Sequence, residues 1–185
     1  MNHLATSKED ILAASREIIK ENGWTAVSIR AVASRCSVST GTIYNYYESK
    51  ADLLGDTIES IWREIFFHPE DEQVFKDVAT CISWIYKRLE YGNEQFPGFF
   101  SLHSLGFMKD EKMDGKKKML QTWGHILNGL CDILKNDPKI RSDVFDQQFT
   151  EKQFADILFS LILVSMIRQD YNPSSILMLI NKTLY

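Results

Sequence analysis

The chain has 185 residues, which is enough for one or two small domains. Hydrophobic residues make up 44% of it and charged residues 25%, a balance typical of folded globular proteins and not of disordered chains. It holds 21 Lys and Arg against 25 Asp and Glu, which excludes a uniformly positive surface but leaves room for a local basic face. The 3 cysteines lack the spacing of a zinc site or a disulfide framework, and no targeting or membrane-spanning segment is recognisable. These features favour a reduced, cytoplasmic protein.

Apolar residues recur at helical spacing along most of the sequence, and the alternation typical of strands is scarce, so the predicted fold is all-α. The first helix is predicted to start at a capping box formed by Thr6 and Glu9 and to end at Gly23. A tight turn over 37–39 separates the next two helices. Three helices are therefore predicted after the first, at about 28–36, 40–47 and 49–67.

The predicted helices lengthen from residue 70 onward. They lie near 70–92, 96–109, 112–135, 149–171 and 173–184. A boundary near residues 50–55 separates a compact amino-terminal module, 1–54, from a larger helical body, 55–185. The body is typical of an independent helical domain in length and periodicity.

Two short helices joined by a short turn are typical of a helix-turn-helix, which places its second helix in the DNA major groove. Ala33 is small enough for the two helices to cross, and Val38 and Ile43 are predicted to pack inward. The second helix then presents residue types that suit base edges, since Asn can bond adenine and threonine methyls can contact thymine methyls. These outward residues are Thr40, Gly41, Thr42, Tyr44 and Asn45.

The run GTIYNYYESKADL, from Gly41 to Leu53, resembles the tetracycline-repressor (TetR) family of bacterial transcriptional regulators. The segments ILAA at 11–14, GW at 23–24 and SIRAVA at 28–33 resemble it too, so the resemblance covers about residues 8–54. It implies that Thr40, Thr42, Tyr44 and Asn45 meet bases or nearby backbone and that Arg30 reaches a base or a phosphate. It also implies that Ser28, Ser39, Tyr46 and Lys50 hold phosphates, which set the register on DNA.

Two positions depart from the family pattern. Ser37 stands where the family has glycine, so we expect a strained or slightly reshaped turn. Tyr47 stands where the family has phenylalanine, so its extra hydroxyl needs solvent or a partner. Charge is the main evidence against DNA binding, because residues 1–55 hold six basic and six acidic side chains. Between 24 and 50, however, there are three basic side chains and a single acidic one, Glu48. We therefore expect few contacts that neutralise phosphates in each subunit.

The last two predicted helices favour a homodimer. The segment from Phe154 to Ile167 is apolar almost all round, so one side is expected to face its own domain and another a partner. The resemblance implies a four-helix interface between two copies, which would present two recognition helices one DNA turn apart. The predicted interface residues are Phe154, Leu158, Leu161, Ile162, Ser165, Ile176, Leu177 and Ile180. The alternative is that these helices are core in a monomer.

The middle of the body is rich in aromatic residues, and ordinary core is the simplest reading of each one alone. The resemblance implies a pocket here for an apolar or aromatic effector, since such pockets are mostly apolar with few polar groups. Its predicted lining is Trp62, Phe66, Trp84, Phe99, Phe100, His103, Phe107, Met119 and Trp123. The four histidines form no metal-binding pattern, and neither a cofactor site nor a catalytic frame is recognisable.

The sequence thus predicts a regulator of transcription, with DNA-binding domain 1–54 and effector-binding and dimerisation domain 55–185. We expect it to act as a repressor on a palindromic double-stranded DNA operator and to be released by a small-molecule effector. One alternative is a helical small-molecule-binding protein with a degenerate DNA module. Two others are an all-α enzyme, which the missing catalytic frame disfavours, and a protein-binding adaptor that uses the apolar carboxy-terminal helices.

Overall fold

The computed structural model describes residues 6–66, 75–100 and 113–185, with side chains from residue 123 onward in the last range. Within these ranges the chain forms α-helices and one turn of 3₁₀ helix, Trp24–Ala26, and no strand, which confirms the all-α fold. The helices are α1 (Lys8–Asn22), α2 (Ile29–Arg35), α3 (Thr40–Tyr44), α4 (Lys50–Phe66), α5 (Val78–Gln95), α6 (Met113–Asn136), α7 (Glu151–Arg168) and α8 (Ser174–Leu184). Most of the predicted helix at 96–109 lies outside the described residues.

The start of α1 differs from the prediction by one residue. The capping box is formed by Ser7 and Asp10, not by Thr6 and Glu9: Asp10 N donates to Ser7 Oγ at 3.1 Å, and Ser7 N donates to Asp10 Oδ2 at 2.8 Å. These hydrogen bonds satisfy backbone donors of the first turn. The Ser7 hydroxyl, at 2.7 Å, and the Ser7 N–H both donate to Asp10 Oδ2 and lower the pKa of Asp10. The helix ends at Gly23, whose φ of 79° suits a residue without a Cβ.

The first compact unit comprises residues 6–66 together with Glu94–Phe99. Its core contains Ile11, Ile19, Val32, Ile43 and Leu53, each at most 2% exposed. The predicted boundary between 54 and 55 falls inside α4, and α4 belongs to this unit as a whole. The division into functional domains at that position stays a prediction.

Ion pairs fasten α4 to α1 within this unit. Lys8 Nζ lies 2.6 Å from Asp56 Oδ2, Arg16 Nε lies 3.0 Å from Glu64 Oε2, and Lys20 Nζ lies 2.9 Å from Glu64 Oε1. Because Glu64 joins two cations on successive turns of α1, it fixes the two helices side by side. Partly exposed pairs of this kind contribute modest stability but do define geometry.

The second unit contains most of α5, α6, α7 and α8. The Asp137 carboxylate, in the loop after α6, accepts hydrogen bonds from Val78 N at 2.9 Å, Lys139 N at 2.9 Å and the Tyr185 hydroxyl at 2.7 Å. It therefore ties the first turn of α5 to the loop and to the end of the described chain. Hydrogen bonds from Lys139 and Thr80 lower the pKa of neighbouring Asp77 to about 2.

Ser37, in the turn between α2 and α3, has a φ of 57°, which confirms the expected strained turn. A side chain with a Cβ is disfavoured in this left-handed region by about 1 kcal/mol. The turn persists because Val38 N donates to Ala33 O at 2.9 Å and Ser37 N to Ser34 O at 3.1 Å.

We predict that Ser37→Gly raises the free energy of unfolding by about 1 kcal/mol, because glycine adopts a positive φ without steric cost. Chemical denaturation followed by circular dichroism measures the change. Ser34→Gly, in the helix just before the turn, is the control and is expected to destabilise the protein. A Ser37→Gly variant no more stable than the wild type would show that the turn carries no strain.

Candidate nucleic-acid interface

The helix-turn-helix is built from two short capped helices. Ser28 Oγ accepts a hydrogen bond from Ala31 N at 3.1 Å and starts α2, and Ser39 Oγ accepts one from Thr42 N at 3.2 Å and starts α3. Ala33 and Ile43 are 2% and 0% exposed, so the predicted crossing and inward packing are both present. Val38, also predicted inward, is half-buried.

The structure places the predicted base-contacting residues on one outer surface. Thr40, Gly41, Tyr44 and Asn45 are exposed, and Thr42 is half-buried. The Tyr44 ring is 55% exposed, unusual for so large an apolar side chain in a small helix. This exposure leaves an aromatic ring, an amide and a threonine methyl available to base edges and to DNA backbone.

The serine hydroxyls keep a proton for phosphate despite their role as caps. A cap accepts a hydrogen bond, so the Ser28 hydroxyl still has its own proton to donate. Ser39 Oγ and Thr42 Oγ1 lie 3.0 Å apart and share one hydrogen bond, so one of the two hydroxyls retains a free proton. Ser28 can therefore donate to phosphate, and Ser39 can do so when the Thr42 hydroxyl is the donor of the shared bond.

Tyr46 differs from the other predicted phosphate contacts. Its hydroxyl donates to the Thr6 carbonyl at 2.7 Å, and the residue is half-buried. Tyr47 departs from its expectation as well: its hydroxyl is buried and, among the described residues, has no hydrogen-bond partner. Burial raises the pKa of Tyr47, and Lys8 Nζ lies 5.4 Å from the centre of its ring.

The cations of this unit differ in whether they form ion pairs with acidic side chains. Lys8, Arg16 and Lys20 pair with acidic side chains, as described above, and Arg35 forms a two-bond ion pair with Glu21 across α1 and α2. Hydrogen bonds from Arg35 lower the pKa of Glu21. Within the part of the chain that the structure describes, exposed Arg30 and Lys50 are in no ion pair. These two side chains, both predicted DNA contacts, are therefore the cations most available to phosphate.

Sequence reasoning missed Thr6 and Glu21. Thr6 is 7% exposed and supplies the carbonyl that Tyr46 binds, while Glu21 neutralises Arg35. No local signal marks either role, because each partner lies far away in the sequence.

The predicted effector-pocket residues fall into separate aromatic groups. In the first unit the Trp62 ring lies 5.6 Å from those of both Phe66 and Phe99. In the second unit three pairs are formed, Trp84 with Phe75, Phe100 with Tyr171, and Trp123 with Phe159, at 5.2, 6.2 and 5.7 Å. His103 and Phe107 and the side chain of Met119 lie outside the described residues. The pocket stays a prediction.

The predicted dimer residues divide by burial. Five of them lie in the chain's own core at 4% exposure or less, Phe154, Leu158, Ile162, Ile176 and Ile180, so they offer no surface to a partner. Ser165 and Leu177 are half-buried, and the Ser165 hydroxyl lies 2.7 Å from that of Tyr86. Leu161 is exposed. The exposed large apolar side chains of these two helices are Ile157, Leu161, Val164 and Ile167 of α7 and Met178 and Leu179 of α8, which we call the exposed apolar face.

Comparison with known proteins agrees with this geometry. Residues 11–57 match the profile of the family described as "Bacterial regulatory proteins, tetR family". An HTH-type transcriptional regulator in the lacX 3′ region of Lactococcus lactis is 27% identical over 101 residues, which are 49% of this chain and 52% of that protein. Residues 11–57 of this chain are therefore similar to the TetR family of regulators. The match spans only about half the length of that relative.

Solved structures of regulators are similar in fold to this chain. FadR from Bacillus subtilis, in complex with stearoyl-CoA, is 20% identical with a TM-score of 0.68, over 97% of this chain and 100% of that one. BioQ with its natural double-stranded DNA operator is 17% identical with a TM-score of 0.60, over 96% and 98% of the two chains. At these identities the likeness establishes the fold.

The described residues also bear on two other features, a membrane-spanning helix and a metal site. None of the helices there is both long and apolar enough to cross a membrane. No group of three or more His, Cys, Asp or Glu side chains there is arranged to hold a metal ion.

We predict that Gly41→Ala separates folding from DNA binding. A Cβ at Gly41 would meet only Ser39 Oγ, at an ordinary 3.5 Å, so the free protein has room for it. Alanine should raise the free energy of unfolding by about 0.5 kcal/mol through helix propensity. On DNA the added methyl would hold α3 away from the groove, so affinity should fall at least tenfold. Denaturation curves and fluorescence anisotropy with a labelled duplex measure the two effects. Undiminished DNA affinity would show that Gly41 does not face the groove.

Proposed function

We propose that this chain is a ligand-responsive regulator, a repressor that binds a palindromic operator as a homodimer in the cytoplasm. The observation that carries the proposal is that the predicted base-contacting residues of α3 are exposed or half-buried, while Arg30 of α2 and Lys50 of α4 are exposed and in no ion pair among the described residues. We propose that these side chains form one DNA-binding surface. The remaining cations of the unit that the structure describes are paired, so the charge available for phosphate is concentrated at this surface.

The first test is the salt dependence of binding to a mixed-sequence duplex. Two neutralising side chains per subunit give about four per dimer, so the slope of log K against log salt should be roughly −3.6. We predict that Arg30→Met or Lys50→Met halves this slope, because each variant removes two phosphate contacts per dimer. Fluorescence anisotropy over a salt series measures it.

Arg63→Met is the matched control. Arg63 is also an exposed cation of the same unit, but it lies at the other end of α4 and pairs with Glu59 at 3.2 Å. Its variant should keep the wild-type slope. If all three variants lower the slope equally, binding is a general charge effect and the proposed surface is wrong.

The homodimer is supported by the exposed apolar face on α7 and α8, where Ile157, Val164 and Ile167 are 43%, 42% and 49% exposed and Met178 is 60% exposed. Exposed apolar side chains gathered on two neighbouring helices mark an association surface. A two-fold dimer would cover this face with its own copy and pair the two helix-turn-helix units for a palindrome.

We predict that Val164→Glu and Ile167→Glu each convert the dimer to a monomer at micromolar concentration, because a carboxylate buried without a partner is strongly unfavourable. Sedimentation velocity measures the mass. Lys152→Glu is the control, since Lys152 is exposed and lies about 140° around α7 from Ile157 by helical spacing. A wild-type monomer, or a dimer that survives both face variants, would overturn the proposed interface.

The effector is proposed to be a small apolar or aromatic molecule bound in the second domain. The aromatic groups around Trp84, Phe100 and Trp123 supply apolar surface for it. The FadR structure, which is similar in fold, is a complex with stearoyl-CoA, and this supports a ligand-binding role. The alternative of a ligand-binding protein with a degenerate DNA module is motivated by Ser37 and by the neutral charge of residues 1–55, and the salt experiment distinguishes it.

A further inference from the structure

The Tyr46 hydroxyl connects the recognition segment to the start of α1. It donates to the Thr6 carbonyl at 2.7 Å, across 40 positions of sequence. The other side-chain hydrogen bonds given for Ser39 and Thr42 stay within the first turn of α3. The Tyr46 bond is therefore a long-range polar link between this segment and the residue that precedes the cap of α1.

The number of protons on the Tyr46 hydroxyl limits the hydrogen bonds that it can donate to DNA. A tyrosine hydroxyl has one proton, and phosphate oxygens only accept hydrogen bonds. While that proton is donated to Thr6, Tyr46 cannot also donate to a phosphate. The role implied by the family resemblance and the geometry of the free protein are therefore mutually exclusive.

The atom that accepts the proton is well placed to hold the module together. Thr6 is 7% exposed and directly precedes Ser7, whose capping box starts α1. Cys36, at the carboxyl end of α2, lies on the same side of this segment, with its Sγ 3.9 Å from the Asp10 carbonyl. The residues at the start of α1 thus contact the ends of both helices of the helix-turn-helix.

Such a link matters because α3 has five residues and cannot maintain its own direction. Its buried anchor, Ile43, fixes the helix at one point and leaves rotation about that point to be limited by other contacts. A hydrogen bond from Tyr46, two residues beyond the end of α3, restrains that rotation.

We infer that Tyr46 is a positioning residue, which sets the direction of α3 through the Thr6 carbonyl and so favours the correct base sequence over others. This inference rests on the proposed DNA-binding function. In this inference Tyr46 contributes to base specificity through a contact inside the protein. The family resemblance implies that it contacts the DNA backbone.

The test uses full-length Tyr46→Phe, which removes the hydroxyl and retains the ring. In the free protein, amide exchange of Asp10 and Ile11, whose N–H groups bond Ser7, should accelerate about threefold to tenfold, as expected for loss of one hydrogen bond. Affinity for a duplex selected from a random pool should fall by a similar factor. Affinity for a scrambled duplex should change little, because non-specific binding does not depend on the direction of α3.

Tyr44→Phe is the contrasting variant. Its ring is exposed, and it is proposed to contact DNA directly, so it should weaken binding and leave the amide exchange of the free protein unchanged. If Tyr46→Phe behaves like Tyr44→Phe, or weakens both duplexes equally, Tyr46 is a phosphate contact and the inference is wrong. A wild-type protein that does not prefer the selected duplex would contradict the proposed function as well as the inference.

Discussion

The recognition helix is too short to be stable alone, and this constraint governs the rest of the amino-terminal unit. Five residues form little more than one helical turn, which is far below the length at which helices persist in water. The direction of α3 must therefore come from other contacts: the Ile43 contact in the core, the Ser39 cap, the backbone bond from Val38 to Ala33 and the Tyr46 bond to Thr6. A strained Ser37 is tolerated because these contacts determine the turn.

The charged side chains of the amino-terminal unit mostly pair with one another. The module is neutral by composition, which by itself argues against DNA binding. Acidic side chains in and just beyond this module, however, form ion pairs within the protein: Glu21 pairs with Arg35, and Asp56 and Glu64, which follow residue 55, pair with cations of α1. Because these acids neutralise cations away from α3, the net charge of the module says little about the field at the surface that carries Arg30 and Lys50.

The sequence was sufficient to predict what local patterns determine. The two short helices and the turn between them follow from residue types at short range, and the strained turn follows from the serine at a position where the family has glycine. The first cap was misplaced by one residue because Thr6 and Ser7 are both good caps, and only the structure shows that Thr6 is buried. The Tyr46 and Glu21 contacts could not be predicted, since they join residues that are distant in the sequence.

The α7 helix shows a different limit. It is apolar on nearly every face, so periodicity cannot say which side faces the chain's own core. The predicted interface residues Leu158 and Ile162 are buried. Ile157, Val164 and Ile167, which were not predicted, are exposed. The aromatic groups illustrate the same point, because composition predicts many rings without showing which of them meet.

The most direct test of the central claim is selection of bound duplexes from a random DNA pool by the wild-type protein at moderate salt. We predict enrichment of one palindromic motif with half-sites about one DNA turn apart, roughly 34–36 Å. Recovery of no motif from a folded, dimeric protein freed of bound ligand would contradict the assignment of α3 as a reader of DNA sequence.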